Sequence, residues 1–292
     1  MSSKIVVALS ATKHEHEHVF RNNSGSPVQY WYSAYVDSRL FHVPNQPRVV
    51  RAMSLRLSVA CAVAATVGFL LYRSRRSRLL RRRRLLITGA SGYLGQHLTS
   101  VLHATEPTVE VHVAYGGLGT YATDVSGMVA SLTQIDLADT DQIRTLVRSV
   151  RPDVVIHLAA VSSPAACEKN AERSEAINKP LALLAALPKS TAFVFLSTDQ
   201  VYDGVGGNYA HGAAARPVNR YGLAKLAFEE ALHAALPAAV SLRSSLILGP
   251  RTPGRCRKQS FLQFCEERVL KQQTTDFISD EVRPADGPPG RG

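Results

Sequence analysis

A chain of 292 residues with 45% apolar content has core material for one large domain or two small ones. Its formal charge of +11 invites a nucleic-acid reading, but the charge is local: eight arginines stand between Arg73 and Arg84, and no Asp or Glu occurs from Ser38 to Thr105. No aromatic side chains interleave with those arginines as a stacking surface for single strands requires, so no nucleic-acid partner is expected. Cys61, Cys167, Cys256 and Cys265 form no CxxC pair and have no matching histidine ladder. They predict no metal site and fit a reducing compartment.

Residues 1–56 show little periodicity. "HEHEH" at 14–18 would put three histidines on one face of an extended chain, which suits a metal, but a solvated polar run is the plainer reading. "VQYWYSAYV" reads as a short strand without an evident partner, and Met53 is a second candidate start. Residues 57–72, "LSVACAVAATVGFLLY", carry no charge. As a helix they would span roughly 24 Å, slightly short of a hydrocarbon core, so flanking arginines would have to snorkel. The basic flank at 73–83 follows at once. By the positive-inside rule, this predicts a single-pass membrane anchor with everything after it in the cytosol. The alternative is an organelle address such as a mitochondrial one, which is also Arg-rich and acid-poor, though amphipathic rather than continuously apolar.

From Arg84 the pattern becomes strand–helix–strand. "RLLITGA", "VEVHVAYG", "PDVVIHLAA", "AFVFLSTD" and "AAVSLRSSLIL" read as strands. "GQHLTSVLHA", "DTDQIRTLVRSV" with its capping Asp, "ACEKNAERSEAINKPLALLAAL" and "RYGLAKLAFEEALHAAL" read as helices. Apolar strands without in/out alternation are covered on both faces. The fold class is therefore α/β, a doubly wound parallel sheet of Rossmann type over residues 84–250.

"TGASGYLG" places Gly89, Gly92 and Gly95 between the first strand and its helix. The first glycine permits the turn, the second lets backbone approach a pyrophosphate, and the third lets the helix pack on the sheet. The phosphates would meet free N–H groups at the helix N-terminus. A ribose-binding acid is absent from "VAYGGLG" at the end of the second strand, and so is a nearby arginine. The residues do not choose between NADP and NAD, and the missing acid tilts the expectation toward NADP. Tyr221 and Lys225 in "YGLAK" are i and i+4 on a helix and share a face. A cationic Lys225 would lower the pKa of Tyr221 and make it a usable proton donor to a carbonyl. Thr198 in "STDQVYDG", at a strand end on the same edge, can hydrogen-bond that carbonyl.

These motifs, with "DL" at 136–137 and "HLAA" at 157–160, stand in the order and spacing of extended short-chain dehydrogenases/reductases, which the chain resembles from about Arg84 to about Arg283. The "STD…VYDG" form is similar to the branch of dTDP-4-dehydrorhamnose reductases, which also holds the regulatory beta subunit of methionine adenosyltransferase. The resemblance implies that Gly89, Gly92 and Gly95 surround the pyrophosphate, with Tyr93 and Leu94 closing the turn. It implies that Asp136 and Leu137 contact adenine and that Ala159 and Ala160 line the cofactor. It makes Thr198, Tyr221 and Lys225 the catalytic set, with Lys225 also holding the nicotinamide ribose, and it matches Asn178 to a helix asparagine of the superfamily. The family continues into a substrate lobe, whereas residues 251–292 end in "ADGPPGRG", which predicts an incomplete lobe with a disordered tail. The expected activity is NAD(P)H-dependent reduction of a keto-sugar nucleotide. The alternatives are an NAD(P)-binding regulatory subunit working on a partner enzyme and an inactive truncated form. A homodimer is the other assembly in view.

Overall fold

The computed structural model describes residues 5–9, 82–117, 125–206, 209–210, 212–256, 258 and 260–273. The strands are β1 (Ile5–Leu9), β2 (Arg83–Thr88), β3 (Val109–Tyr115), β4 (Ser131–Gln134), β5 (Val154–His157), β6 (Ala192–Thr198) and β7 (Val240–Ser244). They form one parallel sheet in the order β1-β7-β6-β5-β2-β3-β4. Counted from β2, the six strands β2–β7 stand in the Rossmann order 3-2-1-4-5-6.

The helices are α1 (Tyr93–Thr105), α2 (Thr140–Val150), α3 (Pro164–Lys169), α4 (Ala171–Asn178), α5 (Leu181–Ala186), α6 (Arg220–Ala235) and α7 (Phe261–Leu270), with a 3-10 turn at Asp199–Val201. Both faces of the sheet are covered, which explains the unbroken apolar strands. Leu85, Ile87, Val111, Val113, Val154 and Ile156 pack with Leu98 and Leu102 of α1. Leu86, Val155, Phe193 and Phe195 pack on the other face with Ile143 and Leu146 of α2 and Phe228 and Leu232 of α6. Alternate residues of one strand thus enter different cores, and each core is apolar.

Local signals account for the helix ends. Asp139 caps α2 by accepting from the Asp141 and Gln142 amides, as its position in the sequence suggests. The single helix expected over 166–187 is instead three short ones, α3 to α5. Asn170 ends α3 and caps α4, accepting from the Arg173 amide at 3.3 Å, and Pro180 precedes α5. Strand β4 was not expected. It has four residues, three half-buried and one exposed, which is too short and too polar to show as a period-2 pattern.

The histidine run at 14–18, the aromatic segment at 28–36, the candidate anchor at 57–72 and the Gly/Pro tail lie outside the described residues. No helix among the described residues is long and apolar enough to cross a membrane.

Helix α6 meets the 3-10 turn backbone to backbone. A Cβ at Gly222 would stand 2.1 Å from the Gln200 carbonyl oxygen. Gly222→Ala is expected to cost about 1–3 kcal/mol in urea unfolding, the usual range for overpacking. Gly127→Ala, with nothing within 4 Å of its Cβ, should stay within about 0.5 kcal/mol of wild type. Equal stabilities would contradict this account of the contact.

Candidate functional site

The strand order reverses between β2 and β5, which pair directly through Leu85–Val154 to Thr88–His157. In open α/β sheets, the crevice beyond such a pair's carboxyl ends receives the ligand. Thr88 and His157, the last residues of the two strands, join there through Oγ1 and Nδ1 at 2.8 Å. His157 is fully buried, and burial, reinforced by nearby Lys225, holds its pKa down to about 3.

The three glycines divide their tasks unequally. Gly89 has φ +76°, and a Cβ on it would lie 2.4 Å from the Ala159 nitrogen. A Cβ on Gly95 would lie 2.5 Å from the Gly89 oxygen and 2.6 Å from the Ala90 Cα. Packing therefore demands glycine at both positions. Gly92 is different: its Cβ would meet only the Gly89 oxygen, at 3.1 Å. Gly92 is also the N-cap of α1, which has no side-chain cap and no acid in its first turn. The helix end is left with free donors and no competing carboxylate, an arrangement suited to an anion.

The other expected cofactor residues gather around this loop or along the same sheet edge. Leu94 is buried in the first turn of α1. Tyr93 donates to the Pro250 carbonyl at 2.8 Å, and burial raises its pKa. Ala159 and Ala160 follow β5, with Ala159 against Gly89. Asp136 and Leu137 follow β4. The Asp136 carboxylate accepts from Arg173 at 2.8 Å and from the Ala138 amide at 3.0 Å, which lowers its pKa, the Arg173 bond most. Asn178 is buried and clamps Val161, accepting from its amide at 3.0 Å and donating to its carbonyl at 3.1 Å. It thereby fixes the segment leaving β5.

Gln96 was not singled out in the sequence. Its side chain donates to the Ser91 and Arg255 carbonyls and accepts from the Gly254 amide. With Tyr93 it ties the segment after β7 to the start of α1. The available signal is a glutamine one turn into a helix, on the face that also carries buried Thr99.

Thr198, Tyr221 and Lys225 do converge. Thr198 ends β6, where its hydroxyl donates to Asp199 at 3.0 Å and accepts from the Gln200 amide at 3.2 Å. Tyr221 and Lys225 lie on the buried face of α6, and Tyr221 is near enough to the Thr198 hydroxyl to feel it electrostatically. Asn219 caps α6 through the Gly222 amide at 2.8 Å and donates to the Gln200 side chain at 3.0 Å, which locks α6 to the turn after Thr198. Lys225 Nζ donates to the Leu196 carbonyl at 2.9 Å and stands 4.4 Å from the Phe195 ring centroid and 5.8 Å from that of Tyr221.

The electrostatics correct the sequence expectation. The Tyr221 pKa is raised, not lowered. Burial is the main cause, Asp199 and Cys167 add to it, and the Thr198 hydroxyl opposes it. Lys225 does not act as a strong cation because burial pulls its own pKa down to about 7, with Glu229 and Cys167 opposing. The phenol keeps its proton tightly, which suits a group that releases it only to a developing oxyanion.

Arranged in this way, the fold and site define a dinucleotide-fold protein with a Thr–Tyr–Lys set at the ligand edge. The sequence model of the RmlD substrate binding domain matches residues 83–285, and the chain belongs to that family, within the extended short-chain dehydrogenases/reductases. It is 32% identical over 169 residues to "Probable low-salt glycan biosynthesis reductase Agl14" of Haloferax volcanii, covering 56% of this chain and 54% of that protein. It is 29% identical over 168 residues to methionine adenosyltransferase 2 subunit beta of Danio rerio, covering 57% and 49%. The dTDP-4-dehydrorhamnose reductase of Bacillus anthracis, solved in complex with NADP, superposes with a TM-score of 0.53 at 22% identity, covering 68% and 63% of the two chains. The chain spans about half the length of the curated relatives it matches.

Buried Lys225 makes stability depend on pH. Its folded pKa of about 7 lies below the ordinary 10.5. Between these values the unfolded chain binds more protons, so stability rises with pH across that window. Lys225→Met should therefore stabilise the protein more at pH 6 than at pH 10 in urea unfolding. A gain independent of pH would contradict a depressed lysine.

Proposed function

We propose that the crevice binds NADP or NAD and that the chain is a reductase of a keto-sugar nucleotide. The carrying observation is the convergence of Thr198, Tyr221 and Lys225 at the sheet edge that also holds the glycine loop. The cradle fits a dinucleotide: packing constrains position 92 less than 89 or 95, and the uncapped start of α1 offers N–H donors to a diphosphate. Gly89, Gly92, Gly95, Tyr93 and Leu94 would hold the diphosphate. Asp136 and Leu137 would meet the adenine, and Ala159 and Ala160 would line the path to the nicotinamide. Strand β3 ends at Tyr115, followed by Gly116 and Gly117, so no carboxylate there opposes a 2′-phosphate, and NADP is favoured.

When bound in reduced form, the nicotinamide supplies a hydride to the substrate's carbonyl carbon. The chain's own residues do the rest. Tyr221 Oη gives its proton to the carbonyl oxygen as charge develops there. Thr198 hydrogen-bonds the same oxygen and orients it. Lys225 would exchange its bond to the Leu196 carbonyl for the nicotinamide ribose and hold it beside Tyr221. A second reading, a dinucleotide-binding regulatory subunit, is supported by the likeness to the methionine adenosyltransferase subunit. It needs the glycine cradle but no turnover.

Three substitutions test the reading. Gly92→Ala should cost less thermal stability than Gly95→Ala, yet weaken NADPH binding by about tenfold or more in a nicotinamide-fluorescence titration, because the ligand needs that space. Gly95→Ala should instead destabilise the fold. Tyr221→Phe should slow NADPH oxidation by a dTDP-4-keto sugar by about 100-fold or more while leaving NADPH affinity within about threefold. NADPH binding without oxidation in wild type would favour the regulatory reading, and absence of binding of both NADPH and NADH would refute both.

A further inference from the structure

Arg243, the fourth residue of β7, is the joint between the two elements that carry the Thr–Tyr–Lys set. Its Nε donates to both carboxylate oxygens of Glu229 at 3.1 Å, and its Nη2 donates to Oε2 at 2.6 Å. Its Nη1 donates to the Tyr202 hydroxyl at 2.9 Å. The guanidinium carbon lies 5.1 Å from the Tyr202 ring, which stacks on Tyr209 with centroids 4.4 Å apart. The Arg243 and Glu229 side chains are only 10% and 4% exposed, so this pair is held away from solvent screening.

The two partners of Arg243 are placed tellingly. Glu229 lies one turn beyond Lys225 and two turns beyond Tyr221 on α6. Tyr202 closes the 3-10 turn that begins at Thr198, its amide donating to the Asp199 carbonyl at 3.0 Å. At the other end of α6, the Asn219–Gln200 bond joins the same two elements. The helix and the turn are thus fixed to each other at two points. Only the Arg243 point is reached from a third element, β7.

Charge gives this joint a second task. Glu229 and Lys225 are i+4 neighbours, a spacing at which opposite charges attract. Four hydrogen bonds to Arg243 use the guanidinium fork in two directions, and three of them occupy the Glu229 carboxylate. Without Arg243, Glu229 would be a buried carboxylate whose neighbouring cation is Lys225. The ammonium would then be drawn along α6, away from the Leu196 carbonyl and the crevice.

We propose that Arg243 is a positioning residue: it occupies Glu229 and pins Tyr202, so that Lys225 faces the nicotinamide end of the crevice at a fixed distance from Thr198. The inference rests on the cofactor reading above. It also excludes lysine as a substitute, because a single ammonium cannot hold a carboxylate by a fork and a phenol by a third arm at once.

The test compares two ligands on the full chain. NADPH reaches Lys225, whereas adenosine 2′,5′-bisphosphate lacks the nicotinamide half and occupies only the adenine end. Arg243→Lys should weaken NADPH about tenfold and leave the bisphosphate within about twofold, measured by calorimetry, since only the end beyond Lys225 is disturbed. A general loosening of the fold would weaken both ligands together. If Arg243→Lys does not fold, Tyr202→Phe decides. It deletes one hydrogen bond, keeps the ring stack, and should weaken NADPH alone by about threefold. Unchanged NADPH affinity, or parallel loss of both ligands, overturns the positioning role while leaving the cofactor reading in place. A wild-type chain that binds neither NADPH nor NADH overturns the cofactor reading, and the positioning role with it.

Discussion

A Cβ at position 89 would stand 2.4 Å from the Ala159 nitrogen, so β2 and β5 can end side by side only if that residue has none. The rest of the site depends on this close approach. It brings the loop after β2 against the segment leaving β5 and sets the Thr88–His157 bond beneath them. Gly95 continues the constraint by letting α1 turn back over the same backbone. The result is a crevice whose walls are set by close backbone packing. Walls of this kind let binding energy go into orientation rather than into ordering the protein.

The second constraint is electrostatic. Lys225 is 1% exposed, and its hydrogen bond to the Leu196 carbonyl and the face of Phe195 do not replace the water it has lost. A buried cation so placed destabilises the fold unless it sheds its proton. Glu229 could have been its partner but is committed to Arg243. Two buried ionic arrangements therefore sit one turn apart on α6, one well paired and one poorly paired. Strain of the second kind marks sites where a ligand completes the set of interactions.

Much of this was legible before the structure. The glycine spacing between a strand and a helix, and the tyrosine and lysine four apart beyond "STD", placed the crevice and its candidate chemistry, because turns and helical periods are local. What stayed hidden was non-local or short. Strand β4 exists through pairing with β3 rather than through its own pattern. The helix over 166–187 broke where Asn170 could cap a new start, a contest that propensity alone does not decide. The direction of the Tyr221 pKa shift needed the depth of burial, which spacing does not report. Arg243 looked like an ordinary residue of "VSLRSS" until Glu229 and Tyr202 were seen around it.

The central claim is that one ligand spans the glycine loop and the Thr–Tyr–Lys set. The most direct measurement is a crystal structure of the chain with NADPH. The account predicts the diphosphate at the first N–H groups of α1 and a nicotinamide ribose hydroxyl about 3 Å from Lys225 Nζ. A dinucleotide seated elsewhere, or one whose nicotinamide half turns away from Lys225 and Tyr221, would contradict it.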